Sequence, residues 1–208
     1  MKKTVITIGR QFCSGGHDIG EKLAQQLDIP FYDKNLISLA AKKSGMSEEV
    51  LKAADEYPTD SLLYNLSLGN ALFAFGDMSS REMPVTDKLF ILQSEIIKNA
   101  ANEGSCVIVG RCAENVLEDR KDCISVFIYA DMDYKIRRCI DMYKVAPEKA
   151  KSFITKTDKR RESYHNYFCD TKWGSPESYD MMLNSSKMSE QAIIDVIKSY
   201  IELSLIHI

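Results

Sequence analysis

The chain has 208 residues, 45% apolar and 27% charged, enough to bury a full core in one α/β domain and too apolar for disorder. Its net charge of −3 supplies no global positive field, so neither nucleic acid nor an anionic membrane is an expected partner. No stretch approaches the roughly 18 uninterrupted apolar residues that span a bilayer, and Met1-Lys2-Lys3 leads into a strand pattern rather than a signal core, so the expected location is cytoplasmic.

Val5-Ile6-Thr7-Ile8 is a short β-branched run suited to a buried parallel strand. A glycine-rich bend follows, and then Ile19, Leu23, Ala24 and Leu27 recur at helical spacing opposite Glu21, Lys22, Gln25 and Gln26. Ile29 to Tyr32 predicts a brief second strand; Asp33 is placed to cap a helix running to Lys43 and stopped by Ser44-Gly45, and Ser47 starts another. Residues 57–87 mix Leu, Phe and Met with glycines and Pro84, a pattern for a helical hairpin or flap. Thr86 then caps a long amphipathic helix ended by Gly104. Cys106-Val107-Ile108-Val109 and residues 124–129 read as buried strands, 131–143 and 147–168 as helices, 179–183 as a last strand, and Ser189 as the cap of a C-terminal helix. Strands separated by helices give a parallel, helix-covered sheet.

The six cysteines form no CxxC pair and the three histidines lack ligand spacing, so reduced, buried thiols are expected and a metal site built wholly from protein side chains is not.

The stretch "TIGRQFCSGGHDIG" joins a strand to a helix N-terminus. There a glycine-rich bend can aim backbone N–H groups at one point favoured by the helix dipole, a geometry that binds phosphate; a plain tight turn is the alternative. The Rossmann pattern GxGxxG is absent, which disfavours a dinucleotide. The pattern GxxxxGK[ST] also fails: aligned through the helix, Gly15 takes the last loop glycine, Gly16 stands where the lysine belongs and His17 where the hydroxyl belongs. The candidate phosphate-holding set is therefore Gly9, Arg10, Ser14, Gly15, Gly16, His17 and Asp18. Arg10 and His17 stand in for the missing ammonium, and Asp18 is the candidate contact for magnesium.

With "VIVGRCAENVL", "VFIYADMDYKIRRCI" and "KWGSPESYDMMLNSSKMS" in the same order, this stretch resembles the cytidylate kinase-like family over nearly the whole chain. The resemblance implies a P-loop NTPase-like, three-layer α/β/α fold with a five-stranded parallel sheet: a core of residues 1–33, 86–146 and 176–208, a helical acceptor lobe of about 34–85 and a lid of about 147–175. It implies ATP as phosphoryl donor, magnesium, nucleotide substrates and a nucleoside monophosphate acceptor such as CMP or dCMP. Two positions depart from the family pattern: Cys13 replaces a glycine and His17 a basic residue.

Arg111 follows a predicted central strand, and by the resemblance it grips the acceptor, with Asp33 either holding the acceptor or capping its helix. Lys135 and Arg138 share a helical face, as do Lys156, Lys159 and Arg160, with Asp158 available to hold one of the latter. Arg160, Arg161, Lys159 and Arg138 are the candidate catalytic cations, since phosphoryl transfer calls for positive charge closing over a spreading negative one. Tyr164, His165, Tyr167 and Trp173 can stack on a base or pack the lid, and Asn184, Ser185 and Ser186 can face the donor's adenine or serve turn chemistry. A regulatory protein that binds nucleotide or another anion on the same fold without turnover is the alternative function.

Overall fold

The computed structural model describes residues 3–57 and 83–204. The hairpin or flap expected over 57–87 falls mostly outside them.

β1 (Val5–Arg10), β2 (Phe31–Tyr32), β3 (Cys106–Val109), β4 (Cys123–Tyr129) and β5 (Met181–Asn184) form one parallel sheet in the order β2-β3-β1-β4-β5. Side chains alternate across a strand, and here both faces are apolar. Ile6, Ile8, Val107, Val109, Val126 and Ile128 pack under α1 (Gly16–Leu27) and α8 (Glu190–Ser204). Val5, Cys106 and Ile108 pack on the other face under α2 (Asn35–Ser44), α4 (Val85–Glu103) and the short α5 (Ala113–Val116). This is the three-layer architecture expected from the strand–helix alternation.

α3 (Glu48–Ala54) joins α2 and α4 in a separate apolar cluster around Ile37, Leu51 and Leu89. α6 (Met132–Tyr143) and α7 (Pro147–Phe168) clasp another, built from Phe12, Cys13, Cys139, Ala150 and Ile154. These two clusters join the segments expected as acceptor lobe and lid to parts of the expected core, through Leu89 in one case and through Phe12, Cys13 and Cys139 in the other.

Several local expectations change. Thr86 lies inside the first turn of α4, which begins after Pro84, because proline's fixed φ suits a helix start. Asp33 makes no cap bond to α2; its carboxylate is drawn into the ionic network below, and Asn35 Oδ1 accepts from the Asp33 amide at 2.8 Å instead. Ser189 does accept at the start of α8, from the Ala192 amide at 3.2 Å. Tyr164 and His165 are buried, and Trp173 meets Phe127 edge-on, so these rings pack rather than offer a face to a base.

The chain leaves β1 toward β2 on one side, then crosses from β3 to β4 on the other. The carboxyl ends of β1 and β3 therefore flank the reversal point where open α/β sheets bind ligands.

Candidate active site

Among the described residues the largest cleft, about 880 Å³, opens at that point. Seven lysine and arginine side chains line it against four carboxylates, although the chain as a whole is acidic.

The bend before α1 forms one wall. Its peptide groups are fixed from behind: Ser14 Oγ donates to Gln11 O at 2.8 Å, Ser185 Oγ donates to Ser14 O at 2.6 Å, and the Phe12 amide donates to Asp158 Oδ1 at 2.6 Å. Ser14 is fully buried, and its amide points to Gln11 O at 3.4 Å, so the cradle begins at Gly15 rather than at Ser14. Gly15, Gly16 and His17 line the cleft, and the first amides of a helix have no intrahelical acceptor. Gly9 is also withdrawn from the expected set. It lies under Phe127 and Tyr179, whose atoms would stand 2.8 and 2.9 Å from a Cβ there. Cys13 adopts a left-handed φ of 60°, a conformation suited to the glycine of the family pattern, and its side chain turns into the α6–α7 cluster rather than over the phosphate position.

Where the lysine would stand there is no room for one. A Cβ on Gly16 would lie 2.6 Å from Arg10 Cβ and 3.3 Å from Ile128 Cβ. Arg10 occupies that space and carries its guanidinium across Gly110, where a Cβ would come within 2.3 Å of it; Gly110 also has φ +73°. Arg111 and Cys112 follow at φ 56° each, so the backbone turns left-handed over three successive residues at the end of β3, strain of the kind that collects at functional sites.

That turn aims Arg111 back under the cleft. Its guanidinium is 2% exposed and donates to Asp55 Oδ2 at 2.7 Å, to Asp55 Oδ1 at 3.2 Å, to Val109 O at 3.1 Å and to Asp33. Asp33 also meets His17 Nδ1 at 2.6 Å. Burial pushes the Asp33 carboxyl up, but the His17 hydrogen bond and the charges of Arg111 and Arg10 outweigh it and hold it well below the usual carboxylate range. The same hydrogen bond raises His17, against partial burial.

A second buried group joins the two sides of the cleft. Glu56 accepts from Arg10 Nη1 at 2.7 Å and from Arg161 Nε at 3.1 Å, and Arg161 Nη1 reaches Arg10 O at 3.4 Å. Two guanidinium groups thus share one carboxylate. Arg161 shows the shortfall: burial and then the like charge of Arg10 lower its pKa despite Glu56. Arg160 donates to the neutral Tyr57 hydroxyl at 2.8 Å and lies over that ring.

The remaining candidates divide. Arg138 packs against Gly15, 3.5 Å from where a Cβ would be, and pairs with Asp18 and, at 3.5 Å, with Glu190. Asp18 is therefore engaged by a cation. Among the described residues no group of three metal-ligating side chains is found. Lys135 holds Asp158 at 3.0 Å and Gln11 at 3.1 Å, bracing the bend. Asp158 consequently restrains Lys135 and the bend, not a member of its own helix's basic row. Lys156 and Lys159 point to solvent and Lys159 does not line the cleft, because the inner face of α7 at this level runs through Thr157, Arg161 and Tyr164. Asn184, Ser185 and Ser186 do turn work: Asn184 and Ser186 bind Asp131, and Ser185 anchors the bend.

Asp55, Glu56 and Tyr57, partners of four site arginines, were missed in sequence. Their only signal is a short acidic run closing a helix, which reads equally well as a solvated end.

A parallel five-stranded sheet with an amide-lined bend at one strand end and an arginine-rich cleft beside it defines a P-loop kinase fold, and solved structures agree. A shikimate kinase from Bacteroides thetaiotaomicron superposes with a TM-score of 0.54 over 96% of this chain and 99% of that one, at 11% identity. One from Aquifex aeolicus superposes at 0.50 over 98% and 99%, at 15% identity. An uncharacterised protein from Eubacterium ventriosum matches more strongly, with a TM-score of 0.71 and 31% identity over 96% of this chain and 99% of that one. The family model of the cytidylate kinase-like family matches residues 5–187, and the chain belongs to that family. Comparison with curated protein sequences finds no match. Among the described residues no helix is long and apolar enough to cross a membrane.

Proposed function

We propose that the chain transfers the terminal phosphoryl group of ATP to a nucleoside monophosphate, with CMP or dCMP the first acceptors to test. The observation carrying this reading is the pair Arg10 and Arg161 sharing Glu56 beside the open amides of Gly15, Gly16 and His17: a buried positive surplus next to an anion cradle, at the reversal point of a P-loop sheet. In this reading the amides hold the donor's phosphates and Arg111 with Asp33 orients the acceptor. Arg160 and Arg161, on the lid helix α7, cover the moving group, and Arg10 supplies the charge for which Gly16 leaves no lysine. Magnesium comes with the nucleotide, Asp18 being its nearest carboxylate once Arg138 releases it. A phosphate acceptor is already anionic, so no general base is needed.

The Asp18–Arg138 ion pair and the excluded lysine favour a second reading, an anion- or nucleotide-binding regulator without turnover. An ADP-release assay with ATP, magnesium and CMP, dCMP, UMP or AMP separates them. Turnover on a pyrimidine monophosphate, lowered about 10²–10³-fold in Arg161→Ala, supports the kinase. Calorimetric binding of ATP with no ADP released on any acceptor supports the regulator.

A further inference from the structure

Behind Arg111, outside the cleft, lies a buried thiol pair that the phosphoryl-transfer reading does not use. Cys112 is the residue after Arg111, and Cys169 ends α7; both are buried, in one cluster with Tyr164 and flanked by Phe90 and Phe168. His165, one helical turn before Cys169, stands 2.9 Å from Glu114 Oε1, with both side chains buried, and neither of its ring nitrogens has a hydrogen-bond partner of good geometry. Tyr179 Oη reaches the same carboxylate oxygen at 3.5 Å. Two thiols, an imidazole with free ring nitrogens and a carboxylate are thus gathered in one buried corner.

We infer that Cys169 is a peroxide-sensitive thiol and Cys112 its resolving partner, so that oxidation ties the end of α7 to the loop carrying Arg111. The Cys169 thiolate attacks one oxygen of hydrogen peroxide: an S–O bond forms, the O–O bond breaks, and the departing hydroxide leaves as water with the proton that His165 took from the thiol. The Cys112 sulfur then attacks the sulfenic acid, forming S–S as S–O breaks, and the hydroxyl leaves with the Cys112 proton as a second water. One peroxide is reduced and two thiols are oxidised to one disulfide.

The electrostatics agree with this division of labour. Cys112, followed by His165, brings the Cys169 thiol down to about 7 against burial, whereas the Cys112 thiol is pushed well up, as expected of a resolving thiol that waits protonated. Burial disfavours a charged His165, but the neighbouring Cys169 and Glu114 raise it to about 10. The other thiol pair, Cys13 with Cys139, has no such imidazole; burial, then Cys139, push Cys13 up to about 12, and it is expected to stay inert although it sits in the anion-binding bend.

The test uses the full chain treated with hydrogen peroxide at pH 7, followed by alkylation and peptide mass mapping. A Cys112–Cys169 disulfide is expected at least ~10-fold faster than any oxidation of Cys13, with a rise in melting temperature reversed by dithiothreitol. Cys112→Ser leaves a sulfenic acid on Cys169 that dimedone traps, and His165→Asn slows its formation without changing the folded circular dichroism spectrum. Oxidation falling first on Cys13 or Cys123, or an unchanged Cys169 in the folded chain, overturns the inference. None of these readouts depends on phosphoryl transfer, so the kinase reading stands or falls separately.

Discussion

Glu56 shows how much one side chain carries. It has a left-handed φ of 57°, is buried, and its carboxyl is held well below the ordinary range: burial opposes ionisation, and Arg10 and Arg161 together overcome it. Replacing it by Gln keeps the shape and removes the charge, taking from two buried guanidinium groups the carboxylate they share, a loss of about 3–5 kcal/mol in denaturant unfolding. Inorganic phosphate should raise the melting temperature of Glu56→Gln more than that of the parent, because an anion can take the vacated position. An equal rise in both would show that Glu56 does not sit in the anion's place. His17 and Asp33 add a pH dependence of opposite signs. Raised His17 stabilises the fold below its ordinary value near 6.5, and that contribution disappears as pH rises through its higher folded value. Lowered Asp33 stabilises above its ordinary value of 3.8 and loses its contribution as pH falls below it. Stability measured across pH 6–9 should fall more steeply in the parent than in His17→Gln, and equal slopes would remove the His17–Asp33 pair as the cause.

At the scale of the element, the bend before α1 is braced by three separate parts of the chain: α6 through Lys135, α7 through Asp158, and the loop after β5 through Ser185. This bracing explains how the bend keeps its shape with Cys13 in a glycine's conformation. It also means that restoring the familiar lysine does not restore a familiar site. Gly16→Lys places a Cβ against Arg10 and Ile128, and the expected result is a loss of about 1–3 kcal/mol of stability with no gain in ATP affinity by calorimetry. Tighter ATP binding in that variant would mean that Arg10 yields easily and is not the lysine's replacement.

For the whole molecule the relevant contrast is between an acidic chain and a basic cleft. The anion binding proposed for it is a local field effect, screened by salt beyond about 10 Å at 0.1 M, with the buried arginines screened less than the rim lysines Lys34 and Lys52. Phosphate affinity measured by calorimetry should therefore weaken from 50 to 300 mM salt and then level off. A decline that continued with no plateau would place binding on the rim rather than on the arginine floor.

How much was legible beforehand follows from the range of the forces concerned. The strands around Ile6, Ile108 and Ile128, the helix of Ile19 and Leu23, and the stop at Gly104 are written in spacing and turn chemistry, which act over a few residues, and the glycine bend announces its chemistry the same way. Arg111 could be named for its position after a strand. Asp33 could be named too, but not that it and Asp55 neutralise Arg111, since they lie 78 and 56 residues away in sequence. Nor could the withdrawal of Gly9 and Ser14, the outward turn of Lys159, or the meeting of Cys112 with Cys169 across the base of α7. Local pattern determined which elements form and where the glycine-rich bend stands. Tertiary packing decided which cations face that bend and what neutralises them, because burial and charge pairing depend on distances that only the closed sheet and its helices bring about.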